Sequence, residues 1–92
     1  MYELSGQVLD SNGFSVENAT VSIAGIGKFA LTDGQGFFNI HRVPPGSYYL
    51  VTEHRGYDQY ISPIMISRDN PNILITMNTA QGIWTSSGTI KG

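Results

Sequence analysis

A hydrolase needs a nucleophile, a base within hydrogen-bond reach and an oxyanion site. This chain lacks the residues for that set. It has no cysteine, which removes thiol catalysis, thiolate metal sites and disulfides in one step. No Gly-x-Ser-x-Gly elbow occurs. The two histidines, His41 and His54, share strand parity with Asn39 and Leu50 respectively. On regular strands they therefore face opposite sides and read as surface residues rather than metal ligands. Asp10-Ser11-Asn12-Gly13 is similar to the start of a calcium loop but lacks the downstream bidentate glutamate, so an Asx-type turn is expected. Asn18-Ala19-Thr20 fits the glycosylation pattern and reads as a chance match. Tyr57, Tyr60 and Trp84 are candidate aromatics for stacking on sugar rings. No catalytic residue, metal or cofactor is expected.

The elements that must carry these residues are short strands. Among 92 residues there are 11 glycines, 10 aromatics read as 4 Phe, 5 Tyr and 1 Trp, and only 13% charged side chains. That balance favours strands joined by tight turns over a helical bundle. A net charge of −2 with five scattered basic residues argues against nucleic acid or an anionic membrane surface as partner. No apolar run approaches a membrane span, and Met1-Tyr2-Glu3-Leu4-Ser5 has no features of a signal peptide.

Turn signals recur roughly every eight to twelve residues, the rhythm of a sandwich or barrel. Period-2 alternation predicts strands at Tyr2 to Val8, Ala19 to Ile23, Lys28 to Thr32, Phe37 to Arg42, Ser47 to His54, Tyr60 to Ser67 and Ile73 to Asn78. Pro63 suggests an edge or a bulge. Pro45 and Gly46 suit the two corners of a type II turn, which would make the flanking strands antiparallel neighbours. Thr79 to Gly92, rich in Gly, Ser and Thr, reads as a tail or linker carrying one sticky dipeptide, Ile83-Trp84. The expected organisation is a domain over residues 1–78 and a tail over 79–92.

From Gly6 to Met77 the chain resembles the carboxypeptidase regulatory-like domain. The residues that carry the likeness are Gly6-x-Val8-x-Asp10, Gly13, Asn18-Ala19-x-Val21-x-Ile23, Thr32-Asp33-x-x-Gly36-x-Phe38-x-Ile40, Val43-Pro44-Pro45-Gly46-x-Tyr48-x-Leu50 and Gly56-Tyr57. The resemblance implies an all-β, seven-stranded antiparallel Greek-key sandwich of the Ig-like or transthyretin-like kind. It also implies a non-catalytic module. Transthyretin-like enzymes that open cyclic ureides end in Tyr-Arg-Gly-Ser, whereas this chain ends in Thr-Ile-Lys-Gly. The related adhesin repeats form Lys–Asn crosslinks with help from a glutamate in Tyr-x-Leu-x-Glu. Here Thr52 takes that place and the first strand has no lysine, so no crosslink is expected.

The expected core comprises Val8, Val21, Ile23, Phe38, Ile40, Tyr48, Leu50, Ile73 and Ile75. Opposite parity then turns Phe37, Tyr49 and Val51 outward. With Trp84 they are the candidate interface for a neighbouring domain or protein. The expected role is a spacer or docking module in a larger surface, secreted or multi-protein assembly. The alternatives are a structural protein of a phage virion and a carbohydrate-binding accessory module. The corresponding locations are the cell surface, as part of a larger protein, or a virion.

Overall fold

Residues 1–80 are described in the computed structural model, and they contain strands but no helix. Seven strands follow one another: β1 (Tyr2–Asp10), β2 (Thr20–Ile23), β3 (Lys28–Leu31), β4 (Phe37–Val43), β5 (Gly46–Glu53), β6 (Tyr60–Ile66) and β7 (Asn70–Met77). They form a three-stranded sheet ordered β4-β1-β7 and a four-stranded sheet ordered β3-β2-β5-β6. The two sheets pack as a sandwich. β6 is an edge strand, and it accommodates Pro63, which has no N–H to give to a further neighbour. All pairs are antiparallel except β1 with β7, which run parallel. That pair is the one departure from an antiparallel sandwich.

The inward positions follow the alternation of the strands. Val8, Val21, Ile23, Phe38, Ile40, Leu50 and Ile75 are buried, joined by Leu4, Val16, Ala19, Val43, Ile66 and Met77. Tyr48 and Ile73 are half-buried and pack against this core. Gly6 lies in the middle of β1 because the β7 backbone comes too close for a side chain. A Cβ there would sit 1.9 Å from the Ile73 carbonyl oxygen.

Two turns share one design. Asp10 Oδ1 accepts from the N–H groups of Asn12 and Phe14, at 2.8 and 3.0 Å. Asp33 Oδ1 does the same for Gln35 and Phe37, both at 2.9 Å. In each, the aspartate N–H donates to the carbonyl four residues on, and its own carbonyl accepts from a glycine three residues on. Those glycines, Gly13 and Gly36, have φ of 88° and 81°, the left-handed conformation that a type I turn with a bulge needs. Asp10 is thus committed to the backbone, as an Asx-type turn requires.

The Pro44-Pro45-Gly46 segment departs from expectation. Gly46 has φ of 153°, far from the roughly +80° of a type II corner. The chain does not reverse within one sheet. It crosses from β4 in the three-stranded sheet to β5 in the four-stranded one. The Tyr48 hydroxyl holds the crossing by donating to the Pro44 carbonyl at 3.1 Å. At the end of the described chain, the Asp58 N–H donates to the Asn78 carbonyl at 2.8 Å, and the Ala80 N–H donates to the Gly56 carbonyl at 2.9 Å. The first two residues of the expected tail, Thr79 and Ala80, are therefore tied to the domain through Tyr57 and Gly56. The rest of it, with Ile83 and Trp84, lies outside the described residues.

Candidate interaction surface

The crossing at Pro44-Pro45-Gly46 separates the residues expected to form one patch. Phe37, 49% exposed, is on the outer face of the three-stranded sheet. Tyr49 and Val51 are on the outer face of the four-stranded sheet. The expected patch of Phe37 with Tyr49 and Val51 does not exist, because β4 and β5 are not neighbours. Trp84 lies outside the described residues.

What surrounds Tyr49 and Val51 is a broader apolar face. Register places Phe29, Ser22, Val51 and Ile61 in one row across the four strands. The next rows set Leu31 beside Thr20 and Glu53 on one side, and Tyr49 beside Pro63 on the other. Met65 follows, opposite Ser47. Phe29, Leu31, Tyr49, Ile61 and Met65 are 63%, 57%, 58%, 55% and 71% exposed. A groove runs along one end, lined by Ser47, Tyr48, Tyr49, Pro63, Ile64 and Met65. Glu53 is the one charged side chain among the described residues of this face, and the Gln59 amide donates to it.

The opposite face has a different character. On the three-stranded sheet, Glu3, Ser5, Gln7, Asn39 and His41 are outward, and His41 Nδ1 meets Glu3 Oε2 at 3.0 Å. Phe37 and Leu74 flank Gln7 there and line one cavity with it and Leu31.

Of the remaining candidates, Trp84 lies outside the described residues and the others do not form one site. Tyr57 and Tyr60 are half-buried and pack against the core. Tyr57 also meets the His54 ring edge-on at 5.4 Å. His54 Nδ1 lies 2.7 Å from the Arg55 carbonyl. His41 is on β4 of the three-stranded sheet, and His54 follows the end of β5 of the four-stranded one. No group of three His, Cys, Asp or Glu that could hold a metal comes together among the described residues. No helix there is long and apolar enough to cross a membrane.

Phe29, Leu31, Ile61 and Met65 were not singled out from the sequence. Alternation in Lys28-Phe29-Ala30-Leu31 would turn the two large residues inward, yet Ala30 faces the core and they face out. The signal that could have found them is the outward parity of Ile61, Pro63 and Met65 on β6, opposite Val51, Tyr49 and Ser47.

The architecture recurs in solved structures. A chain of a type II cohesin–X-dockerin complex from Acetivibrio cellulolyticus superposes with a TM-score of 0.77 at 22% identity, covering 86% of this chain and 58% of that one. Catechol 1,2-dioxygenase from Pseudomonas arvilla C-1 gives 0.69 at 12% identity, over 88% of this chain and 53% of that one. The Bacillus anthracis TIE protein gives 0.66 at 14% identity, over 85% and 16%. This chain thus spans at most three fifths of these structures, and at such identities the likeness is one of fold. A comparison with curated protein sequences finds no match. The family model of the carboxypeptidase regulatory-like domain matches residues 3–78. That span contains all seven strands, apart from Tyr2 at the start of β1, and both aspartate turns, and the chain belongs to the carboxypeptidase regulatory-like domain family.

Proposed function

We propose that this chain is a non-catalytic docking or spacer module of a larger assembly, and that the outer face of its four-stranded sheet meets a protein neighbour. The observation that carries this reading is the set of five large apolar side chains, each more than half exposed, on one sheet face. Small soluble domains rarely leave such a face in water, and a rim of polar groups around it is the usual mark of an interaction site. The end of the face at Tyr49, Pro63 and Met65, where a groove is already formed, is the natural anchor point for a partner's apolar residues. A chain of a cohesin–X-dockerin complex sharing the fold supports the reading by analogy. The separation of His41 from His54 and the commitment of Asp10 and Asp33 to backbone turns support the non-catalytic reading.

The test is the size of the species the protein occupies when made in its own host. Tyr49→Ser together with Met65→Ser should shift it to a smaller species in sedimentation, with an unchanged far-UV circular dichroism spectrum. An unchanged species, or a wild-type protein that sediments as a lone monomer, overturns the reading.

A further inference from the structure

Each sheet has two edge strands, and three of the four are guarded against pairing with another chain. β3 is only four residues long and begins with Lys28. β4 carries His41 and Arg42, and its register slips there opposite Tyr2 to Leu4, with Arg42 at φ of 58°. β6 has Pro63 in its middle. Shortness, charge, bulges and proline are the devices by which an edge avoids adding a further strand. β7 is the fourth edge. Pro71 guards its start, but the six residues that follow, Asn72 to Met77, have no charge, no proline and no left-handed backbone. Three of them, Ile73, Ile75 and Thr76, are β-branched. Among the described residues, β7 has no strand on the side away from β1 and no other backbone partner for this stretch. It is a ready template for one more strand.

We propose that β7 pairs antiparallel with the β7 of a second copy about a two-fold axis at Leu74, joining two three-stranded sheets into one of six strands. Neutrality selects a copy as the occupant. Identical strands related by a two-fold axis set like against like, which a charged strand resists and this one does not. Leu74 is the middle of the stretch between Pro71 and Asn78, where the chain is already tied to Asp58. Centred there, Leu74 lies beside its counterpart and Asn72 beside Thr76 of the copy on the outer face, while Ile73 lies beside Ile75 on the inner face. Parity agrees at every position, so each face of the joined sheet stays continuous. Leu74, 62% exposed in the single chain, is covered by the same contact. The edge is short, so the association is weak and depends on concentration. The inference concerns the edge of the three-stranded sheet and stands apart from the partner proposed for the apolar face.

The chain has no cysteine, so single cysteines placed on β7 report the pairing. Leu74→Cys in the purified full chain should form a covalent dimer under mild oxidation, because the two sulfurs come directly opposite each other. Asn72→Cys or Thr76→Cys alone should not, since each lies four residues from the facing position of its counterpart, roughly 13 Å along the strand. The two mixed together should cross-link. In sedimentation the unaltered chain should pass from monomer towards dimer between about 1 and 100 μM. Leu74→Lys should weaken that dimer by about tenfold or more by setting two lysines face to face, with an unchanged far-UV circular dichroism spectrum. A chain that stays monomeric across this range overturns the proposal, and so does equal cross-linking from all three single cysteines. Tyr49→Ser with Met65→Ser should leave the Leu74→Cys cross-link intact, so this inference and the proposed function can fail separately.

Discussion

Thr32 shows why a Thr-Asp pair opens the second aspartate turn. Its side chain is buried, and its hydroxyl donates to the Val16 carbonyl at 2.6 Å while accepting the Ala19 N–H at 2.8 Å. One small polar side chain thus fastens the 16–19 segment, which has no strand of its own, to the start of the turn. Thr32→Val keeps the shape and leaves two buried backbone groups without partners. At about 1–3 kcal/mol for each such group, the urea midpoint should fall by an amount equivalent to about 2–6 kcal/mol. Thr52 is the opposite case. It is fully buried and its hydroxyl has no partner among the described residues. Thr52→Val should therefore cost nothing or stabilise the domain by about 1 kcal/mol, and a drop of the same size as for Thr32 would show that the hydroxyl is satisfied. Asn18 has φ of 63°, a conformation asparagine tolerates better than most residues. This gives the Asn-Ala pair a backbone role independent of any glycosylation pattern.

Strands were more legible than their partners. Alternation located all seven to within a few residues, because burying one face forces a period of two. The inner set was equally legible, since seven of its expected members are buried and Tyr48 and Ile73 pack against them. Alternation says which side of a strand is covered, but not which strand lies beside it. Phe37 and Tyr49 have the outward parity expected of them, yet they belong to different sheets, because a Pro-Pro-Gly segment serves a crossing as well as a reversal. Phe29 and Leu31 were illegible for a related reason: on a four-residue strand, tertiary packing of Ala30 overrides hydrophobic alternation. Within the elements themselves, Ile40→Ala or Leu50→Ala should cost about 2–5 kcal/mol by leaving a cavity. Gly6→Ala should act differently. It pushes β7 away from β1 instead of emptying the core, with an expected loss of at least about 3 kcal/mol. Hydrogen exchange should then show β7 opening ahead of the four-stranded sheet. A uniform loss of protection in both sheets would argue against this local mechanism.

The domain as a whole is an unequal sandwich, with one outer surface polar and the other apolar. All the buried hydrophobic residues described lie between Leu4 and Met77, so a chain ending at Ala80 should keep its strand spectrum and unfold as one cooperative unit. Loss of the far-UV β signal on that truncation would mean that residues beyond Ala80 are integral to a sheet. The parallel pairing of β1 and β7 has a mechanical consequence. Leu4 lies beside Asn70 and Asp10 beside Met77, so the two outermost strands in sequence run the same way and the chain enters and leaves at opposite ends of their ladder. Tension applied through the two ends would drag these strands past each other lengthwise, loading their slanted hydrogen bonds together rather than peeling them one by one. A pull along the chain would therefore meet the β1–β7 pair in shear. Stretching single molecules by their ends should give an abrupt rupture at high force, and Gly6→Ala should lower it.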